Sequence, residues 1–366
     1  TGIKDLDLSP CEELEYLDVT GTWLTHLNLT PCENLQTLKT SLVGLDGLDL
    51  SPVTELRSLT AEKCGLEKLD LSANTKLANI NVAGNNLTQL DLSKNTELTN
   101  VDCRSNAIKT LDLSMLAKLD TLNCAVNNIE TLNLTNNKAL TTLNCSSNAL
   151  SELNIKTNEN LQYVNCADNQ ISELTFASQL DLVGGSVSGN TLDKEALEAM
   201  FISMPDINGL EIEPENALWK GVMTYSNNPG TETADATVLT AKGWKAQVSS
   251  DALGDASAMV VFSPDLVGTK LSFAIDCPGD MMIDWGDGNK IFYKYVEQNG
   301  SYQNMDGVLL GTTMKVYAPD AVDFGIANTS VTQVNVSNMA NLKYFACSGN
   351  SISELDVSKN EALEQL

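Results

Sequence analysis

The stretch that decides the fold runs from residue 98 to residue 114 and reads LTNVDCRSNAIKTLDLS. Steps of 21 residues along the chain return the same residue types in three columns of leucine, asparagine and cysteine. The columns contain Leu77, Leu98, Leu119, Leu140 and Leu161, then Asn85, Asn106, Asn127, Asn148 and Asn169, then Cys103, Cys124, Cys145 and Cys166. A fixed period of this length is typical of a solenoid, in which each repeat forms one turn of a coil.

The residues within one repeat predict how a turn is built. Val101 and Cys103 lie two positions apart, so they point to the same side of a short strand. Asn106 follows at the turn, where its amide can satisfy backbone groups of the loop and extend the network to the next turn. Ile108 and Leu111 fill the other side of the coil. Since no turn buries its apolar side chains alone, the turns are expected to stack around one continuous core.

The repeat pattern predicts four regions along the chain. Leu14 already fits the leucine column, Leu182 still fits it, and the pattern fades by residue 190, so the first solenoid covers residues 1–190. Residues 191–250 read as an α/β cap, with a helix at 193–204 started by Asp193, a second helix at 234–242, and strands at 210–213, 222–225 and 244–248.

A different pattern occupies residues 257–323 before the repeats return. Strands are expected at 259–262, 270–276, 281–285, 290–296 and 314–317, which together predict a small antiparallel β domain. From residue 324 to residue 366 the repeat returns, with Leu342 and Leu363 again 21 residues apart. The columns include Val331, Val334 and Val336, so this region is predicted to begin a second array.

The cysteine column predicts buried thiols. Four of the nine cysteines occupy a slot where other turns place Ala61 or Val82, and a buried thiol behaves as a small apolar group. Stacked, parallel side chains do not point at each other, so we expect thiols rather than disulfides in this column. The chain has no CxxC pair of the kind that binds metals or performs redox chemistry.

The composition limits the kinds of partner. The chain has 366 residues, with 48 acidic against 22 basic side chains, a net charge of −26 and a pI near 4.2. This balance argues against nucleic acid and anionic membranes as partners and favours either solubility alone or a cationic partner. There is no apolar run of about 18 residues and no visible signal peptide, so we expect no direct membrane insertion. The chain opens and stops inside a repeat, and we therefore expect a piece of a longer protein. We also expect it to be a monomer.

The motif L-x-x-L-x-C-x-x-N-x-L-x-x-L-D-L-S, seen at residues 98–114 with valine or isoleucine at some apolar positions, resembles that of bacterial leucine-rich repeat proteins. It is similar to that of the cysteine-ladder internalins and of the surface leucine-rich repeat proteins of gut Bacteroidetes. The segment from Asp284 to Gly288, DWGDG, resembles a turn of PKD-type, immunoglobulin-like domains. The resemblance implies a right-handed α/β-type solenoid with a 21-residue period. It also implies an exported, cell-surface or secreted protein that mediates adhesion.

Few residues point to catalysis or metal binding. The one histidine, His26, lies at an outward position matched by Lys68 and Gln89, so it is interpreted as a solvated surface residue, and no enzymatic activity or cofactor is predicted. Asp284 and Asp287 are interpreted as turn residues, with a calcium site as the alternative. A further column of aspartates marks the outward side of the LDLS segment and is interpreted as a solvated row with local backbone hydrogen bonds. Its members are Asp49, Asp70, Asp91 and Asp112.

The strongest candidate for binding is the outward face of the short strands, which is expected to be concave. The candidate ligand-binding residues are Tyr16, Asp18, Lys39, Glu62, Asn79, Asn81, Asn100, Asp102, Arg104, Thr121, Asn123, Asn144, Tyr163 and Asn165. The resemblance implies that this face recognises a host or community surface protein or a glycoprotein. Two alternatives remain open: capture of carbohydrate by the asparagine and threonine rows, and a structural stalk that binds nothing.

Overall fold

The computed structural model describes residues 2–41, 44–45, 47–176, 181–210, 221–247, 258–267, 269–278, 281–286, 290–293, 303–309 and 311–366. The chain divides into two compact units. Unit 1 comprises Thr1–Leu182 and Asn190–Pro205, and unit 2 comprises Val183–Gly189 and Asp206–Leu366.

Unit 1 is built on three-residue parallel strands that return every 21 residues. These are β1 (Tyr16–Asp18), β2 (Thr37–Lys39), β3 (Ser58–Thr60), β4 (Asn79–Asn81), β5 (Asn100–Asp102), β6 (Thr121–Asn123), β7 (Thr142–Asn144) and β8 (Tyr163–Asn165). Tyr16 lies opposite Thr37 and Asp18 opposite Lys39, and the same register continues to β8. The predicted parallel-strand solenoid and its 21-residue repeat are confirmed.

The predicted columns form the core of unit 1. All five leucines of the leucine column are fully buried, and so are the four cysteines of the cysteine column. Ala61 and Val82 fill the same slot in earlier turns and are equally buried, so the slot takes small apolar side chains. All nine cysteines are thiols, which confirms that the column is held by packing and not by disulfides.

The asparagine column links one turn to the next. Asn106 Nδ2 donates to the carbonyl oxygens of Val82 and Cys103, both at 3.0 Å, and its Oδ1 accepts the backbone N–H of Leu87 at 3.0 Å. Asn85 and Asn127 make the equivalent bonds in the neighbouring turns. The network predicted from Asn106 is confirmed. It satisfies backbone groups that a tight turn would otherwise bury without partners.

The residue before each of these asparagines has a positive φ. Gly84 (φ 68°) meets this requirement without strain, whereas Ser105 (φ 55°) and Val126 (φ 55°) carry a Cβ in the left-handed region. Val126 is branched at Cβ, so the turn before Asn127 carries local backbone strain.

Unit 1 also contains helix α1 (Lys194–Ser203), which confirms the helix expected at 193–204. Its N-cap is Asp193, whose carboxylate accepts the backbone N–H of Ala196 at 2.8 Å. Leu197, Met200 and Phe201 form its buried side. Among the described residues, no helix is long and apolar enough to cross a membrane.

Unit 2 begins with a second run of parallel strands: β9 (Gly184–Ser186), β10 (Val222–Thr224) and β11 (Lys245–Gln247). Helix α2 (Thr237–Ala241) lies inside the range predicted for it. The predictions at 222–225 and 244–248 correspond to β10 and β11, and β10 pairs in parallel with both β9 and β11. Of the strand predicted at 210–213, residues 211–213 lie outside the described residues.

Two sheets follow in unit 2, one of five antiparallel strands and one of four strands in which β18 and β20 pair in parallel. Their strands are β12 (Ala258–Phe262), β13 (Lys270–Asp276), β14 (Met281–Asp284), β15 (Lys290–Tyr293), β16 (Gln303–Val308), β17 (Thr313–Tyr317), β18 (Asp323–Gly325), β19 (Val331–Asn335) and β20 (Tyr344–Ala346). One sheet has the order β15-β14-β17-β12-β19 and the other β16-β13-β18-β20. The strands predicted at 259–262, 270–276, 281–285 and 314–317 are found here, and so is the first part of the one predicted at 290–296, whose residues 294–296 lie outside the described residues. Strand β16 was not predicted.

The 21-residue register returns at β18 and β20, which pair in parallel with Asp323 opposite Tyr344. Val331 and Val334 are buried as their repeat columns require, but they lie in β19, which pairs antiparallel with β12. The returning repeat and the preceding strands thus share one hydrophobic core, which runs from Val260 through Phe324 and Phe345.

Candidate functional site

The strand face, defined as the outward side chains on and directly after β1–β8, changes in accessibility along unit 1. Tyr16, Asp18 and Asn79 are exposed. The other candidates on β2 and β4–β6 are half-buried: Lys39, Asn81, Asn100, Asp102, Thr121 and Asn123. The buried candidates are Glu62, Arg104, Asn144, Tyr163 and Asn165. The accessible part of this face therefore lies on β1–β6.

The buried end of the face lies on β7 and β8. Tyr163 is 3% exposed and Asn165 is 0% exposed. Asn144 Oδ1 accepts the Ser146 hydroxyl at 2.7 Å, and Asn165 Oδ1 accepts the backbone N–H of Ala167 at 3.0 Å. These side chains stabilise the turns that follow their strands. The repeat pattern predicts a uniform face, because the 21-residue period only determines which side chains point outward. It carries no information on which other residues pack over each turn.

Tyr16 and Lys39 contact each other at the accessible end of the face. Tyr16 is 51% exposed, and the Lys39 ammonium lies 5.9 Å from the centroid of its ring. This distance lies within the range of a cation–π contact. Asp18 shares the face with Tyr16, and its Oδ1 accepts the backbone N–H of Thr20 at 2.9 Å. The sequence predicts all three as residues of this face, and the structure places them on its first two strands, β1 and β2.

A buried charged cluster lies across β3–β5, and we name it the Arg104 network: Glu62, Asn81, Asp102 and Arg104. Arg104 is 6% exposed; its Nη1 lies 2.8 Å from Asp102 Oδ2 and its Nη2 lies 3.8 Å from Glu62 Oε1. Asn81 Nδ2 donates to Glu62 Oε1. The guanidinium is therefore held between carboxylates of its own chain.

A small residue makes this network possible. Glu62, Ala83 and Arg104 occupy one column at 21-residue steps, and Ala83 is fully buried between the two charged residues. Because alanine has no side chain beyond Cβ, Glu62 and Arg104 can reach each other across the intervening turn. The sequence predicts that Arg104 contacts a ligand, whereas in the structure its guanidinium pairs with carboxylates of the same chain.

The outward aspartate column has the local hydrogen bonds that were predicted. Asp112 Oδ1 accepts the backbone N–H of Ser114 at 2.9 Å, and Asp49, Asp70 and Asp91 make the same contact with the serine two residues later. The Ser114 hydrogen bonds lower the pKa of Asp112 from its ordinary value. The four aspartates are exposed, and each carboxylate accepts a hydrogen bond from the backbone of its own turn.

Of the DWGDG segment, the structure describes Asp284 to Gly286. Asp284 is buried, and its Oδ1 accepts the backbone N–H of Gly286 at 2.8 Å, while Asp287 lies outside the described residues. Within the described part of the chain, no group of three or more histidine, cysteine, aspartate or glutamate side chains is arranged to hold a metal ion. A calcium site that includes Asp287 stays a prediction. His26 is exposed, as predicted for a surface residue.

Sequence reasoning did not single out Trp23, which is 64% exposed. The Lys4 ammonium lies 5.7 Å from its ring centroid, and the Trp23 backbone N–H donates to the Ile3 carbonyl oxygen at 2.8 Å. The repeat could have indicated that Trp23 is exposed, because the same position in later turns holds Asn86, which is exposed, and Ala107, which is half-buried. A tryptophan at an outward position is a candidate contact residue.

No protein-family model and no curated protein sequence matches the chain. Among solved structures, the chain is similar to the functional domain of InlJ from Listeria monocytogenes, which includes a cysteine ladder, with 23% identity and a TM-score of 0.55. That match covers all of this chain and 60% of the InlJ chain. The chain is also similar to the internalin InlF from Listeria monocytogenes, with 20% identity and a TM-score of 0.52 over 67% of this chain and 77% of that one. The fold is thus that of internalin-type leucine-rich repeat proteins.

Proposed function

We propose that the chain recognises a protein partner through the accessible strand face on β1–β6. The observation that carries this proposal is an ordered row of polar side chains on a parallel sheet, with the half-exposed ring of Tyr16 at one end. Tyrosine, tryptophan and arginine dominate the binding energy of protein interfaces. With Arg104 held in its network, the aromatic rings supply the main anchors.

The construction of the face favours binding by a rigid surface. Parallel strands hold successive turns about 4.8 Å apart, so their side chains form a regular array. The hydrogen bond from Thr20 to Asp18 and the bond from Asn81 to Glu62 fix side chains before any partner arrives. Preordered side chains lose little conformational entropy on association, which strengthens binding for a given contact area.

The wider organisation is also part of the proposal. The chain is proposed to be exported and to act in adhesion at a cell surface, as its resemblance to the cysteine-ladder internalins implies. Residues 191–250 are proposed to cap the first solenoid. Residues 257–323 are proposed to form an immunoglobulin-like, PKD-type domain ahead of the second array at 324–366.

A pair of matched variants tests the proposal. The chain is immobilised and incubated with host-tissue lysate, and captured proteins are identified for wild type, Asn79→Arg and Gln89→Arg. Asn79 is exposed on β4, whereas Gln89 is exposed on another side of the same turn. A protein partner retained by wild type and Gln89→Arg but lost by Asn79→Arg is the expected result.

Two outcomes would count against the proposal. Equal capture by both variants would place binding elsewhere on the chain. A partner that is lost after enzymatic removal of glycans from the lysate would favour the carbohydrate reading of the asparagine and threonine rows.

A further inference from the structure

The first two turns carry exposed aromatic rings in a chain with few aromatics. Tyr16 and Trp23 are both more than half exposed, while Trp244 and Trp285 are buried. Both rings occupy outward repeat positions, and Tyr16 is exposed whereas Tyr163 in the same repeat column is buried. Trp23 lies seven positions after Tyr16, so the two residues are at most about 25 Å apart. An extended partner segment of about eight residues is long enough to span that distance.

Both rings already hold a lysine ammonium. Lys39 lies 5.9 Å from the centroid of Tyr16 and Lys4 lies 5.7 Å from that of Trp23. These contacts show that each ring presents its electron-rich face to a cation in this environment. The remaining exposed surface of each ring is open to a second group.

The charge around the rings is strongly negative. Between residues 2 and 30 the chain has six acidic side chains and one lysine, and all six acidic residues are exposed. Glu15 and Asp18 flank Tyr16 directly. An anionic ligand would be repelled from these turns, whereas a cationic one would gain from each carboxylate.

We propose that these turns dock a basic segment of the protein partner, with arginine or lysine side chains against Tyr16 and Trp23 and paired with Glu15 and Asp18. This inference rests on the proposed function and specifies the chemistry of the partner. Arginine suits the site better than lysine, since its planar guanidinium stacks on aromatic rings and pairs with carboxylates in a bidentate manner.

The test measures binding of an oligoarginine peptide and an oligoglutamate peptide of equal length by isothermal titration calorimetry. The salt concentration is held at about 0.15 M, where long-range attraction to the acidic chain is screened beyond about 8 Å. Oligoarginine is expected to bind and oligoglutamate is not. Tyr16→Ala and Trp23→Ala should each weaken oligoarginine binding by about two- to fivefold, the effect of one exposed cation–π contact.

Three further variants make the result specific. Tyr16→Phe keeps the ring and should bind as wild type does. Met115→Ala removes an exposed apolar side chain on a later turn and should have no effect. Lys39→Ala should strengthen oligoarginine binding by about two- to fivefold, because it removes the cation that competes for Tyr16. Thermal melting of each variant confirms that it is folded.

The inference is overturned if Tyr16→Ala and Trp23→Ala both bind oligoarginine as wild type does, which would leave only nonspecific attraction to a chain of charge −26. It is also overturned if Lys39→Ala weakens binding or if oligoglutamate binds more tightly. After any of these outcomes the proposed function still holds if Asn79→Arg abolishes capture of the partner. If Asn79→Arg and Gln89→Arg instead capture the partner equally, the proposed function itself is refuted.

Discussion

Replacing Arg104 by methionine removes the cation of the Arg104 network while keeping an unbranched side chain in its place. Glu62 and Asp102 would then face each other across the turn with no positive charge between them. Removing one partner of a buried ion pair costs about 3–5 kcal/mol. Because the Asp102 side chain is 22% exposed and can regain water, we expect a loss near the lower end, about 3 kcal/mol of unfolding free energy.

Urea unfolding followed by circular dichroism measures this loss. Adding Glu62→Gln to Arg104→Met replaces the buried carboxylate by a neutral amide and should recover about 1–2 kcal/mol. Lys118→Met is the matched control, since Lys118 pairs with Glu97 at 2.6 Å but both side chains are about half exposed. The control should change stability by less than about 1 kcal/mol. If Arg104→Met costs no more than the control, the network does not stabilise the fold.

Other variants test the turns, the cysteine column and the DWGDG turn. Val126→Gly should raise the free energy of unfolding by about 0.5–1 kcal/mol in urea titrations, because it relieves the left-handed conformation of a branched residue, and a destabilised variant would refute the strain. Burial raises the pKa of Cys124 from 9.0 to about 12, so its contribution to stability is present below pH 9 and is lost as the pH rises towards 12. Wild type should therefore lose more thermal stability above pH 9 than Cys124→Ala does, and parallel pH profiles would contradict the burial of this thiol. Gly286→Ala should destabilise the chain by at least about 2 kcal/mol in urea titrations, because Gly286 has φ 111° and an added Cβ would lie 2.6 Å from the backbone nitrogen of Gly311. An unchanged unfolding midpoint would show that the backbone adjusts there without cost.

Much of the first solenoid could be predicted because the repeat applies the same physical constraints every 21 residues. A column that is always small or apolar must face the core, and Cys103 and Val82 obey this in the structure. An asparagine that returns at the same turn can bond to the turn beside it, as Asn106 does. Because each weak local preference recurs in every turn, the repeat predicts the register of the strands strongly.

Features that depend on contacts between different turns were harder to predict. The burial of Tyr163 and Asn165 depends on what covers their turns, which no period reports. The Arg104 network depends on the coincidence that Ala83 separates two opposite charges in one column. That signal was visible in the sequence, but only a comparison of three successive turns reveals it.

Unit 2 shows a second limit. Strand β16 (Gln303–Val308) reads QNMDGV, which lacks both apolar alternation and β-branched residues except at its end. It is held in place by pairing with β13 over six positions. Val331 fits the repeat column and is buried accordingly, yet its strand β19 pairs with β12. One extended segment can bury its side chains in the repeat core and also pair with the edge of a sheet.

The central claim is that the accessible strand face on β1–β6 contacts a protein partner. The most direct measurement is site-specific photo-crosslinking with benzoylphenylalanine introduced at Asn79 or, as the control, at Gln89. A discrete protein adduct is expected from position 79 and none from position 89. Adducts of equal yield from both positions, or an adduct from position 89 alone, would contradict the claim.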